Sequence, residues 1–93
     1  MQDKTALLTE LEEVSGLMFT KKEMAEILEI PYEQFCEMLD DDEDPVYREA
    51  VKRGRLKAEA AIRKSIFDLA SNGSSPAQAF AYKLIENAKL DDI

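Results

Sequence analysis

Apolar residues recur every three to four positions along most of the chain. No stretch alternates apolar and polar residues long enough to predict a strand. The first run puts Leu7, Leu8, Leu11 and Val14 on one face of a helix from about Asp3 to Ser15, and Gly16 suits a left-handed C-terminal position. A second helix opens at Thr20, where Thr20 and Glu23 match a capping box and Phe19 precedes as a staple. Its apolar face carries Met24, Ala25, Ile27 and Leu28. Glu29-Ile30-Pro31 reads as a short turn, and a third helix from Tyr32 to Leu39 buries Phe35, Met38 and Leu39.

The run Asp40-Asp41-Asp42-Glu43-Asp44 has nothing to bury and reads as a solvated linker. Asp44 as a cap and Pro45 at the first helical position then start a fourth helix, predicted from Pro45 to Ser71. At 1.5 Å per residue such a helix is roughly 40 Å long and would overhang a compact globule of this chain length. Gly54 in its middle costs about 1 kcal/mol relative to Ala, so it marks a break or permits a close helix contact. Asn72-Gly73 ends that helix. Ser75-Pro76-Ala77-Gln78 reads as another capping box with Pro at the first position, opening a fifth helix to about Ala88. The tail Leu90 to Ile93 is expected to fray. The expected fold is all-α: an HTH-like unit of three helices over residues 1–39, an acidic linker at 40–44, and a helical hairpin with a long basic helix over 45–93.

Composition agrees with the helical reading. Eleven Ala, ten Leu, twelve Glu and eight Lys are strong helix formers, against three Val and three Thr. The single cysteine, Cys36, excludes an internal disulfide and a multi-cysteine zinc site, and the absence of His removes histidine-based triads. No apolar run reaches the roughly 18 residues of a membrane span, and the acidic N-terminal stretch is unlike a signal peptide. A reduced cytoplasmic setting is the expectation.

Charge alters the picture more. The chain carries a net −8, but not evenly. Residues 1–45 hold three lysines against fourteen acids, while residues 46–72 hold seven cations against three acids. A basic middle in an acidic chain either binds phosphate or docks on acidic protein surface.

Residues 20–39 match a helix-turn-helix pattern, with Ala25 at the helix crossing, Ile30 after the turn, and Phe35 and Met38 as anchors. The alternative is an ordinary αα corner. Glu29 stands where such turns usually have glycine, so a left-handed backbone there would be strained or slightly altered. The exposed side of the third helix carries Tyr32, Glu33, Gln34 and Glu37 and no Lys or Arg. Gln34 could read adenine and Tyr32 could touch backbone, with Lys21 and Lys22 as the local cations. If DNA is bound, the basic fourth helix is the better anchor, through Lys52, Arg53, Arg55, Lys57, Arg63 and Lys64.

The order of these features resembles small terminase subunits of tailed phages and prophages. The resemblance rests on TKKEMAEILEI and then, over residues 17–89, on Tyr47, Gly54, Ala70, Asn72-Gly73, Ala77, Ala79, Phe80 and Lys83-Leu84. It implies recognition of double-stranded viral DNA in a bacterial host cell. It also implies ring assembly and delivery of DNA to a large subunit that holds the ATPase and nuclease activities. The chain itself is expected not to be an enzyme and to need no cofactor.

Other constellations carry less. Asp40, Asp42 and Asp44 alternate as in a calcium loop, but Pro45 and Val51 stand where an EF-hand needs Gly and Glu. Cys36 reads as a buried, inert thiol, and Gly73-Ser74-Ser75 as helix capping. The small-residue stripe Ala50, Gly54, Ala58 and Ala61 lets another helix approach closely, either the fifth helix of the same chain or a second subunit. The other functional reading is a protein-interaction module without nucleic acid, in which the positive helix meets a partner's acidic half.

Overall fold

The computed structural model describes residues 3–91. It is all-helical, with α1 (Lys4–Gly16), α2 (Lys21–Ile27), α3 (Tyr32–Asp40), α4 (Val46–Ser71) and α5 (Ser75–Asp91). The chain divides into two compact units, Met1–Ala58 and Glu59–Ile93. The division falls inside α4 and not at the acidic residues 40–44.

The first unit has a core of Leu11, Val14, Met24, Ala25, Leu28, Phe35, Leu39 and Ala50, with Leu7, Leu8, Phe19, Ile30, Tyr47 and Val51 packed around it. Of the predicted anchors, Ala25 and Phe35 are buried, while Ile30 and Met38 are half-buried. α2 starts with the predicted capping box: the Glu23 amide donates to Thr20 Oγ1 at 3.2 Å, and the Thr20 amide donates to Glu23 Oε1 at 2.9 Å. It ends in a Schellman turn. The Ile30 amide donates to the Ala25 carbonyl at 3.0 Å and the Glu29 amide to the Glu26 carbonyl at 3.2 Å. Glu29 occupies the left-handed position of that turn, at φ 56°.

Gly16 does not take the left-handed position at the end of α1. It is helical, and Met18 turns the chain with φ 63°. Gly16 serves close approach instead: a Cβ there would lie 3.2 Å from the Gly54 carbonyl oxygen. A Cβ on Gly54 would come within 2.2 Å of the Glu12 carbonyl oxygen and 3.0 Å of Ser15 Cβ. Gly54 therefore leaves α4 unbroken and brings its backbone against α1. This corrects the expectation for the small-residue stripe. Ala50 and Gly54 are buried within the first unit, Ala50 in its core and Gly54 against α1, so neither is free to face another subunit. Ala58 is half-buried and Ala61 exposed.

The acidic run is more ordered than a solvated linker. Asp41 Oδ1 accepts from the amides of Glu43 and Asp44 at 2.9 and 3.2 Å. The Asp44 carboxylate pairs with Lys4 at 3.0 Å. Pro45 lies just before α4, and its carbonyl accepts the Glu49 amide.

The second unit is a helical hairpin made from the end of α4 and from α5, joined through Gly73 at φ 97°. Its cap is one residue earlier than expected. Ser74 Oγ accepts the Ala77 amide at 3.4 Å, Pro76 is the second helical residue, and the Gln78 side chain donates to the Ala70 carbonyl at 3.1 Å. Leu90 and Asp91 continue α5; the rest of the predicted fraying tail, Asp92 and Ile93, lies outside the described residues. Only Ala77 and Ala81 are buried among the described residues of this unit.

Candidate nucleic-acid interface

One face of α4 repeats cation and apolar residue: Arg48, Val51, Lys52, Arg55 and Leu56 follow a spacing of three, four, seven and eight from the first. The first unit turns that face toward Lys21, which begins α2, and toward Leu39 and Asp40, which end α3. Together these eight residues line a cavity of about 390 Å³. Four are cations and one is an acid. Leu39, Val51 and Leu56 supply an apolar wall.

Two of the guanidinium groups are held in place. Arg55 Nη2 donates to the Phe19 carbonyl at 3.3 Å, which ties α4 to the segment leading into α2. Arg48 Nη1 donates to Asp42 Oδ1 at 3.0 Å, where the Asp42 side chain is 89% exposed. Such a surface pair is weak, since water competes for both ends. Lys21 and Lys52 form no ion pair with any described carboxylate, and both are exposed.

The other side of α4 is different. Arg53 and Lys57 both donate to the Glu12 carboxylate on α1, Lys57 at 2.9 Å. The two bonds, Arg53 first and Lys57 second, hold the Glu12 carboxyl below its ordinary range. These two cations were expected to meet phosphate; in the fold they share the single Glu12 carboxylate and keep exposed side chains.

Comparison with protein-family models, curated proteins and solved structures gave no match. The site is therefore read from its own residues. The structure brings together Lys21, Lys52 and Arg55 from the expected set. It adds Arg48, which sequence reasoning did not select although it stands one turn before Lys52. Lys22, Tyr32 and Gln34 are exposed but do not line the groove. Tyr32 sits one turn before Cys36, and a hydrogen bond between their side chains raises the Tyr32 phenol above its ordinary value. Cys36 is half-buried, not fully enclosed as expected.

Arg63 and Lys64 belong to the second unit, both exposed. Arg63 lines a separate cavity of about 280 Å³ on the hairpin, together with Ile62, Ile66, Phe80, Lys83 and Leu84 among others. A further apolar hollow of about 280 Å³ is lined by Phe67, Tyr82 and Ile85 with smaller residues. Among the described residues, no group of three or more His, Cys, Asp or Glu is placed to hold a metal ion. No helix there is long and apolar enough to cross a membrane.

Proposed function

We propose that this protein is a DNA-associated, self-assembling protein similar to the small terminase subunits of phages and prophages, working in the cytoplasm of a bacterial host. The observation that carries the proposal is the groove in which Lys21, Arg48, Lys52 and Arg55 converge, between the start of α2 and the end of α3. Cations on a helix face neutralise backbone phosphates and release condensed counterions, so binding of this kind falls steeply with salt. α2 and α3, with their Schellman turn and the buried Ala25 and Phe35, support a helix-turn-helix reading. The exposed side of α3 carries Glu33 and Glu37, so the groove-facing part of α4 is the primary phosphate contact and α3 a secondary one.

Assembly is supported by the hairpin. Ile62, Leu69, Phe80, Tyr82 and Leu90 are all more than half exposed there. Large apolar side chains in such number on a small unit suit contact with other copies of the chain. In this proposal the protein does no chemistry itself and presents DNA to a large motor subunit.

The test is duplex-DNA binding across a salt series, with light scattering to read assembly in the same samples. Lys52→Glu lowers affinity, and it makes the slope of log K against log salt shallower by about one phosphate contact's worth, roughly 0.9. Undetectable or salt-independent binding at 50 mM salt defeats the DNA reading. The second reading, a protein-interaction module, is favoured by the pairing of Arg53 and Lys57 with Glu12, which shows α4 cations meeting acidic protein surface. Under it, reversing the charge of Arg53 and Arg55 changes the assembled mass and leaves DNA uninvolved.

A further inference from the structure

We propose that the groove of the first unit takes the 5′-phosphorylated end of a DNA strand, and not a strand running past it. This deepens the DNA reading given above and rests on it. The groove is cationic only on one side. Lys21, Arg48, Lys52 and Arg55 face it from α2 and α4, but α3 closes it with Asp40. Asp41, Asp42 and Glu43 follow directly, all exposed, with Asp42 already on Arg48. A continuous backbone needs cations along its whole path. Here a phosphate entering over Lys52 would have to leave past a row of carboxylates, which repel it. A strand that ends in the groove avoids that exit.

Charge and shape agree with a terminus. A phosphomonoester carries about −1.5 to −2 at pH 7, where an internal diester carries a single charge. Lys21 and Lys52, which pair with no described carboxylate, suit the higher charge, and the guanidinium groups of Arg48 and Arg55 keep further N–H donors, beyond those given to Asp42 and Phe19, in planar forks that match phosphate oxygens. The cavity of about 390 Å³ falls within the size range of small-ligand sites. Leu39, Val51 and Leu56 give the terminal deoxyribose an apolar surface.

The experiment compares four probes by competition at fixed salt: a blunt duplex with 5′-phosphates, the same duplex with 5′-hydroxyls, a covalently closed circle of the same sequence, and the free nucleotide dTMP. The 5′-phosphorylated duplex is expected to bind about tenfold tighter than the other two DNAs, a difference that charge-assisted bonds to the terminal phosphate supply. That preference disappears in Lys52→Glu and returns in Lys52→Arg. Lys52 is exposed and without an ion pair among the described residues, so these variants keep the fold, which circular dichroism verifies. The preference also shrinks below about pH 6, where the monoester loses its second charge. The charged groups at the groove are Lys21, Arg48, Lys52, Arg55 and Asp40, with Asp42 on Arg48. Equal binding of all three DNAs overturns the strand-end assignment while leaving the DNA reading intact. Binding of dTMP with no binding of any duplex overturns both, and marks a free-nucleotide pocket.

Discussion

The two units of this chain solve the problem of burying apolar surface in opposite ways. The first encloses Leu11, Met24 and Phe35 completely and surrounds them with half-buried neighbours. The second buries two alanines among its described residues and leaves Phe80 62% and Tyr82 68% exposed. A fully buried large side chain contributes about 1.5–3 kcal/mol, so three of them form a core, whereas two alanines do not. Units below about 40 residues seldom fold on such a core without oligomerisation or staples. The contrast teaches that the first unit carries a core of its own, whereas the second leaves most of its large apolar side chains at its surface, which is the feature the proposed self-assembly would use.

The sharpest break of that contrast is at Phe35. Phe35→Ala leaves a cavity at the centre of the first unit and should cost about 3–5 kcal/mol, read as a lowered denaturation midpoint. Phe80→Ala should shift the midpoint of a dilute monomer by less than about 0.5 kcal/mol, because an exposed side chain loses little on truncation. It should instead lower the assembled mass in light scattering. If Phe80→Ala destabilises as much as Phe35→Ala at high dilution, the second unit has a core of its own and the contrast fails.

Gly54→Ala comes next. The added Cβ would meet the backbone carbonyl of Glu12 at 2.2 Å, and backbone cannot swing aside as a side-chain tip does. Overpacking of this kind costs about 1–3 kcal/mol, and the backbone clash puts this case at the upper end. Thermal unfolding measures it. Gly73→Ala meets no neighbouring atom, and its cost of about 1 kcal/mol comes only from the left-handed backbone.

These glycines show what the sequence makes legible. Local chemistry is readable: the Thr20–Glu23 box, the Asn72-Gly73 stop and the periodic apolar faces each act within one turn of chain. The left-handed backbone at Glu29 was also legible, from the missing glycine. Long-range partners were not. Gly54 announces that some helix approaches, but whether α1 or α5 does so depends on how backbones cross. Arg53 and Lys57 meet Glu12 across 41 and 45 residues. A cation-rich helix reads the same whether a carboxylate of its own chain or a phosphate faces it. The groove needed the fold as well, because Lys21 joins Arg48, Lys52 and Arg55 only after α2 and α4 are placed.

Acid titration sharpens the electrostatic half of the contrast. Arg53 and Lys57 lower the Glu12 pKa below its ordinary 4.5 in the folded state. The stabilisation they give is present above that value and is lost as pH falls through the depressed folded value. The wild type should therefore lose stability below about pH 4.5 more steeply than Glu12→Gln, whose amide does not titrate. Urea midpoints at pH 7 and pH 3 measure the difference. Identical acid limbs for the two proteins would show that the Glu12 bridges are too solvated to matter.

At Glu29 the expected effect is small, and its sign is the informative part. A residue with a Cβ pays roughly 1–2 kcal/mol in the left-handed region, because the Cβ crowds the following carbonyl. Glu29 sits there at φ 56° and is exposed, so its side chain has no packing to lose. Glu29→Gly removes the crowding but adds freedom to the unfolded chain, which offsets part of the gain. A net stabilisation of about 0.5–1 kcal/mol is expected, visible as a higher thermal midpoint. The same change at Glu26, inside α2, should destabilise by about 1 kcal/mol, since there glycine only weakens a helix. Opposite signs three residues apart would tie the gain to the turn geometry, not to removal of a negative charge. Equal signs would mean that charge in the acidic first unit, and not backbone strain, governs stability at this turn.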